Sequence, residues 1–194
     1  MRKNIFLLRG ALAALLLCGV CAFAQAADFP VDGSVYRIQS VVDGLAMTNG
    51  DSRELGTEIF MAAVDENSAG QEWAFMSVSA EEPLFMIYNE ECGVVADMAL
   101  ISSAPGSLLQ WSVTASSNQI FYVKLVDAQE GIVQLLNASD RGAAVTSDGT
   151  AQLALGDNLE SENTYFRLVD LKKKCDIKDI EECTQKLEYQ GHLN

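Results

Sequence analysis

Short apolar runs alternate with clusters of turn-forming residues along most of this chain. The runs are rich in β-branched and aromatic residues, and several alternate apolar with polar positions, as half-buried β-strands do. Glycine, asparagine, aspartate and proline gather between them, for example at Asn49-Gly50 and Pro105-Gly106. Since no long amphipathic helix interrupts the pattern, it predicts an all-β barrel or sandwich. The apolar runs are Val35–Ile38, Ile59–Val64, Leu84–Tyr88, Leu108–Val113, Ile120–Val126, Ile132–Leu136 and Tyr165–Val169.

The same pattern occurs three times at a nearly fixed spacing. Gly44, Gly93 and Gly142 lie 49 residues apart. Thr48, Asp97 and Thr146 keep the same interval. Self-similarity at a fixed period indicates repeated structural units, and three such units can close around a pseudo-threefold axis. The copies end on Gln71-Glu72-Trp73, Gln119-Ile120-Phe121 and Asn163-Thr164-Tyr165.

These residues resemble the ricin-type β-trefoil lectins, also called the Q-x-W family, over about residues 35–170. The first repeat matches best, with Tyr36-Arg37-Ile38 as its opening strand and Gln71-Glu72-Trp73 as its closing motif. The resemblance implies a β-trefoil with repeats at about 35–82, 83–130 and 131–170. It also implies that the closing aromatics pack in one shared core while the polar residue of each motif hydrogen-bonds the adjoining loop. The aromatics are Trp73, Phe121 and Tyr165, and the polar residues are Gln71, Gln119 and Asn163.

Residues 1–26 have the composition of a secretory signal peptide. Basic residues precede an apolar stretch, and Ala24-Gln25-Ala26 fits the small-residue cleavage rule. We therefore expect cleavage before Ala27 and a secreted or periplasmic protein without a transmembrane segment. Lipidation at Cys18 or Cys21 is a minor alternative, because neither follows a small residue.

Two short segments flank the predicted trefoil. A lead-in segment covers residues 27–34, and a charged tail covers residues 171–194 and contains the only histidine, His192. Either a short helix between Asp176 and Leu187 or a partly ordered arm fits the composition of this tail.

Three cysteines follow the predicted cleavage site, and export would place them in an oxidising compartment. The preferred disulfide joins Cys175 and Cys183. These residues cannot bridge along one straight helix, because eight residues separate them by about 12 Å, so the oxidised tail must bend. Cys92 is expected to be a small buried residue beside Gly93 rather than a reactive thiol.

The chain has a formal net charge of −14, and removal of the basic signal makes the remainder more acidic. This charge argues against nucleic acid and against anionic membrane surfaces as partners. Its simplest consequence is solubility.

The resemblance also implies where a sugar would bind. In the family, each repeat can hold a shallow pocket in which an aspartate accepts hydrogen bonds from sugar hydroxyls and an aromatic ring stacks on the sugar. The aspartate position reads Thr48, Asp97 and Thr146, so only repeat two keeps the acid. The candidate carbohydrate-binding residues are Asp97, Trp111 and Asn118, with Gln110 as a further contact.

Two of these residues have a structural alternative. Trp111 lies five residues after Gly106, as Met61 lies five after Gly56. If Met61 is a core residue, Trp111 is one too and Gln110 faces outward, and alternation alone does not decide between the faces. Asp97 equally fits a role in stabilising a turn.

Catalytic and metal-binding patterns are weak, so we expect a non-enzymatic protein without a cofactor or metal. His192 could form a catalytic pair only if the tail folded back. The cysteines and the histidine lack zinc-ligand spacing, and Asp140, Asp148 and Asp157 do not form a calcium loop.

Two functions therefore remain open. The first is a carbohydrate-binding module with at most one sugar site, in repeat two, whose ligand is a glycan or glycoprotein. The second is a protein-interaction module, such as an inhibitor or a toxin-assembly subunit, that uses the C-terminal tail to dock a partner.

Overall fold

The computed structural model describes residues 29–99, 106–139, 141–149 and 151–175, which form twelve β-strands and three short 3₁₀ turns. Each repeat contributes four strands. Repeat one contains β1 (Ser34–Ser40), β2 (Ala46–Thr48), β3 (Phe60–Ala62) and β4 (Trp73–Ser77). Repeat two contains β5 (Leu84–Asn89), β6 (Val94–Met98), β7 (Leu108–Trp111) and β8 (Phe121–Asp127). Repeat three contains β9 (Ile132–Asn137), β10 (Ala144–Ser147), β11 (Leu153–Gly156) and β12 (Phe166–Lys174).

The first and last strands of the repeats close into a six-stranded antiparallel barrel. β1 pairs with β4, β4 with β5, β5 with β8, β8 with β9, β9 with β12, and β12 returns to β1. Closure leaves none of these six strands with an unpaired edge, which removes a common site of aggregation.

The inner two strands of each repeat form a hairpin, and the three hairpins cap one end of the barrel. β2 pairs with β3, β6 with β7, and β10 with β11. Single bridges between different repeats join the hairpins to one another: Glu58 with Leu109, Phe60 with Gln152, and Ser107 with Ala154. A six-stranded barrel capped by three hairpins is the β-trefoil, and the predicted fold class is confirmed.

A single apolar core fills the barrel and the space under the cap. Trp73, Phe121 and Phe166 are each fully buried in it, at the first position of β4, β8 and β12. The indole N–H of Trp73 donates to the carbonyl of Met47 at 3.0 Å, so its one polar atom is also satisfied.

The closing motif of repeat three differs from the prediction by one residue. Phe166 occupies the core position, whereas Tyr165 is only half-buried. The polar position is accordingly Thr164, which is buried at the end of the 3₁₀ turn, and Asn163 is not its counterpart. The interpretation of Asn163-Thr164-Tyr165 as the motif was wrong, because Phe166 fills the core position and Thr164 lies two residues before it, as Gln119 lies two residues before Phe121.

The polar residues of the motifs hold the loops before β4 and β8. Gln71 accepts from the N–H of Asp65 at 3.0 Å and donates to the carbonyl of Ala63 at 2.8 Å. Gln119 makes the corresponding bonds in repeat two and is fully buried. Thr164 is too short for this role. Gln134 of β9 instead donates to the carbonyl of Leu159 and to the hydroxyl of Thr164, both at 2.7 Å.

The barrel extends beyond the predicted end of the domain at residue 170. β12 continues to Lys174, and Lys173 pairs in register with Val35 of β1. The N–H of Cys175 then donates to the carbonyl of Gly33 at 2.9 Å. The predicted signal peptide, Cys183 and His192 lie outside the described residues, so the signal, the disulfide and the role of the tail stay predictions.

Helices in the described ranges are single 3₁₀ turns, and none has the length or apolar character that crossing a membrane requires.

Candidate functional site

Asp97 lies near the end of β6, on the outer face of the repeat-two hairpin, and both of its carboxylate oxygens are engaged. The side-chain amide of Asn118 donates to Oδ1 at 2.6 Å, and that of Gln119 donates to Oδ2 at 2.9 Å. Both amides come from the 3₁₀ turn Ser117–Gln119. Each carboxylate oxygen can accept two hydrogen bonds, so these contacts do not use the full capacity of the carboxylate, although the Asp97 side chain is largely buried, at 8 % exposed. The amides therefore fix the carboxylate in one orientation without exhausting it.

Trp111 lies on the same face of the hairpin, at the end of β7. Asp97 pairs with Leu109, and Val95 pairs with Trp111, so Trp111 is the diagonal neighbour of Asp97. The indole is 42 % exposed, and its other side rests against Gly56 of repeat one. A half-exposed aromatic ring beside an oriented carboxylate is an arrangement that can bind an apolar ring face and its hydroxyls together.

Gln110 is not available as a surface contact. It is fully buried, and its amide donates to the carbonyl of Glu54 at 2.6 Å. Its place among the candidate binding residues was wrong. The sequence comparison aligned Trp111 with Met61, but strand register aligns Trp111 with Ala62 and Gln110 with Met61. Repeat one has one more residue between its glycine and this strand, and a one-residue offset exchanges the two faces.

Leu109 is a member of the site that the sequence analysis missed. It lies directly opposite Asp97, on the face that also carries Trp111, and is nearly buried. The floor between the carboxylate and the indole is therefore apolar. Correct strand register would have identified it, because residues paired across a hairpin share a face.

In repeat one, other groups fill the space that is equivalent to the candidate site. Thr48 replaces the aspartate, and its hydroxyl accepts from the N–H of Gly50 at 3.0 Å. Gly70 replaces Asn118 and is packed so tightly that a Cβ there would lie 2.5 Å from Oδ1 of Asn49. The Asp51 carboxylate fills the space by accepting from Ser68 and from the N–H of Gly70.

Repeat three lacks both the acid and the aromatic ring. Thr146 stands at the position of Asp97, where its hydroxyl lies 3.4 Å from the carbonyl of Asn163. Strand register places Gly156 at the position of Trp111. The Asp, Asn and Trp combination therefore occurs in repeat two alone among the three hairpins as described.

Gly56 is expected to position the indole of Trp111. A Cβ at Gly56 would lie 3.2 Å from Cζ3 of the indole, closer than ordinary contact. We predict that Gly56→Ala displaces Trp111 and increases acrylamide quenching of its fluorescence, while buried Trp73 stays protected. Gly44→Ala is the matched control, because Gly44 also has a positive φ but has nothing within 4 Å of a Cβ. Equal quenching in both variants would contradict the contact.

Metal coordination finds no support where the chain is described, since no three His, Cys, Asp or Glu side chains there could share an ion.

Comparisons with known proteins extend the fold assignment. No protein-family model matches the chain, and no curated protein sequence matches it. Among solved structures, the chain is similar to ThreeFoil, a designed threefold-symmetric protein, with a TM-score of 0.61, 20 % identity, and coverage of 72 % of this chain and 100 % of that one. It is also similar to the Polyporus squamosus lectin, solved with the epitope Neu5Acα2-6Galβ1-4GlcNAc, with a TM-score of 0.59, 15 % identity, and coverage of 73 % and 50 %.

A third similar structure is an enzyme, the exo-β-1,3-galactanase 1,3Gal43A of Clostridium thermocellum. The TM-score is 0.61, the identity is 19 %, and the match covers 72 % of this chain but 31 % of the enzyme. At these identities the likenesses show a shared fold, and that fold is the β-trefoil of lectins and of designed threefold proteins.

Proposed function

We propose that this protein is a non-enzymatic carbohydrate-binding module of the ricin-type trefoil class, with one sugar site in repeat two. The observation that carries the proposal is the oriented carboxylate of Asp97 beside the half-exposed indole of Trp111. The free acceptor positions of Asp97 suit two neighbouring sugar hydroxyls, and charge strengthens such bonds. Asn118 and the apolar floor at Leu109 complete the contact surface.

Similarity to a lectin supports this proposal, and similarity to a galactanase does not oppose it. The match covers less than a third of the galactanase chain, so the trefoil is one part of that enzyme. A shared fold does not assign a function, so the proposal depends on the residues of the candidate site in repeat two.

The predicted signal peptide adds an expected location. A protein cleaved before Ala27 would meet its glycan outside the cell or in the periplasm. The protein-interaction alternative rests on the predicted charged tail, residues 171–194.

The test is a glycan array probed with the chain from Ala27 onward and with its Asp97→Asn variant. Asparagine keeps the shape of aspartate but removes the charge, and we expect at least about a tenfold loss of affinity, because a charge-assisted hydrogen bond contributes about 1.5–3 kcal/mol. Binding that survives in Asp97→Asn would move the site elsewhere. An absence of binding by the folded parent protein would overturn the proposal.

Thr146→Ala is the matched control for this experiment. Thr146 occupies the position of Asp97 in repeat three, so this variant removes a polar side chain from the same place in the hairpin. We expect its glycan binding to equal that of the parent protein.

A further inference from the structure

The segment that lies beside β7 on the cap belongs to repeat one and carries Glu58. A bridge joins Glu58 to Leu109. Backbone hydrogen bonds hold the bridge on both sides, and one of them runs from the N–H of Ile59 to the carbonyl of Leu108 at 2.9 Å. Two residues that face each other across such a bridge are close neighbours on one face of a sheet. The Glu58 side chain therefore lies on the same face as Leu109, beside the candidate site.

Glu58 completes a row of three side chains across that site. Leu109 pairs with Asp97 on one side and with Glu58 on the other. Neighbouring strands lie about 4.8 Å apart, so the backbones that carry the two acids are about 10 Å apart, with the apolar floor between them. Gly56, two residues before Glu58 and on the same face, lies under the indole of Trp111. The indole and two carboxylates therefore border one apolar floor.

The charge of Glu58 is particular to the repeat-two site. Its equivalents are Ser107 and Gln152, which form the corresponding bridges between the other repeats. Serine and glutamine are uncharged, so of the three equivalent positions only the one beside Leu109 carries a carboxylate. The extra negative charge thus occurs on the hairpin face that also carries Asp97.

A small pocket lies where the three hairpins meet. Its volume is about 80 Å³. Three polar and three buried apolar residues from equivalent positions line it: Glu58, Ser107 and Gln152, with Ile59, Leu108 and Leu153. A space of this size accepts a small polar group such as an ammonium or a water molecule. Because Glu58 lines this pocket and also borders the candidate site, one ligand can contact both.

The electrostatics of this surface favour a cation. An ammonium is attracted by carboxylates and by the negative face of an indole ring. Asp97 is largely buried, so solvent screens its charge less than that of exposed Glu58. Arg53, in the loop that precedes Glu58, is already paired with Glu91 at 3.1 Å. The net charge of −14 adds a long-range attraction for cationic ligands.

We propose that the repeat-two site takes an amino sugar with a free amine, whose ring stacks on Trp111 and whose ammonium pairs with Glu58. This inference rests on the proposed function and names the substrate class of the same site. Glu58 is then a specificity-determining residue that repeat one supplies. It favours a cationic sugar over its N-acetylated form and disfavours an anionic sugar, because like charges repel.

Isothermal titration with two matched oligosaccharides tests the assignment. A glucosamine tetramer carries free amines, whereas its N-acetylated counterpart has the same sugar backbone without the charge. At about pH 6, amines are protonated and carboxyl groups are ionised. We expect the parent protein to bind the glucosamine tetramer at least about threefold more tightly, the effect of an ion pair at an exposed position. The Glu58→Gln variant should lose most of this preference.

Glu130→Gln is the matched control. It removes the same charge from the turn between barrel strands β8 and β9, outside the cap, where Glu130 pairs with Arg167 at 3.2 Å. The ratio of the two affinities should equal that of the parent protein. A ratio that falls equally in Glu58→Gln and Glu130→Gln would mean that overall charge, and not Glu58, sets the preference, and would overturn the inference.

The remaining outcomes separate this inference from the proposed function. Equal binding of the two tetramers by the parent protein, or binding of neither, would overturn the amino-sugar assignment. The proposed function would still stand if a neutral glycan bound and Asp97→Asn weakened that binding. Oligolysine of the same charge is the last probe. If it bound as tightly as the glucosamine tetramer, the attraction would not involve the sugar ring and the assignment would be wrong.

Discussion

Phe166→Ala is expected to destabilise the protein by about 3–5 kcal/mol, the range observed when a buried phenylalanine is truncated. Phe166 is fully buried in the central core at the start of β12, where Trp73 and Phe121 stand in the other repeats. Loss of its ring leaves a cavity that close-packed neighbours fill only in part. Urea denaturation followed by tryptophan fluorescence measures the change in the free energy of unfolding.

The neighbouring residue is the control for this prediction. Tyr165→Ala removes a ring of similar size from a half-buried position and should cost about 1 kcal/mol or less. The two substitutions lie at adjacent positions, so comparing their effects on stability determines which of the two residues belongs to the core. If Tyr165→Ala lowered the free energy of unfolding more than Phe166→Ala, Tyr165 would be the core residue, as the sequence predicted.

Gln119→Met is expected to weaken both stability and glycan binding. Gln119 is fully buried and accepts from the N–H groups of Thr114 and Ala115 at 2.9 and 3.1 Å. Its amide donates to the carbonyl of Ser112 and to Asp97, both at 2.9 Å. Methionine has similar length but makes none of these bonds. Each buried polar group left unpaired costs about 1–3 kcal/mol, so we expect a loss of at least about 3 kcal/mol.

The binding part of this prediction depends on Asp97. Without the Gln119 amide, one oxygen of the carboxylate loses the donor that orients it, and affinity for a glycan should fall about tenfold or more, the equivalent of one hydrogen bond to a charged group. Gln71→Met is the matched control, because Gln71 holds the same loop in repeat one but contacts no carboxylate. It should lower the melting temperature and leave binding intact. Loss of binding in both variants would mean that Gln119 acts only through stability.

The fold could be predicted from the sequence because its signals are repeated three times. Glycines at turns recur at a constant interval, and local turn chemistry is independent of distant contacts. Trp73 and Phe121 were identified as core aromatics because each follows an intact glutamine motif. In repeat three a threonine replaces the glutamine, and compensation comes from Gln134 on another strand. The bond from Gln134 to the carbonyl of Leu159 joins residues 25 positions apart, so no local sequence pattern indicates it. The sequence therefore predicted the motif one residue too early.

The faces of β7 could not be predicted for a related reason. Trp111 and Gln110 exchange sides if the register of β7 shifts by one residue, and that register is fixed by contacts between repeats. Gly56 donates its N–H to the carbonyl of Gln110 at 2.9 Å, and Gln110 donates its side-chain amide to Glu54. These bonds fix which of the two residues is buried. Asp97 and Asn118 were accessible to sequence reasoning because each lies at a fixed distance from a recognisable glycine or glutamine.

The glycine beneath Trp111 has a consequence for valency. The indole of Trp111 in repeat two rests on Gly56 of repeat one, where a Cβ would lie 3.2 Å from Cζ3 of the ring. A chain with an indole at this place in all three repeats would therefore need a glycine at the position of Gly56 in each repeat. Such a protein would carry three copies of the proposed glycan site, and their shared attachment would raise its avidity for a glycan-coated surface by about 10²–10⁴ where the spacing permits simultaneous contact.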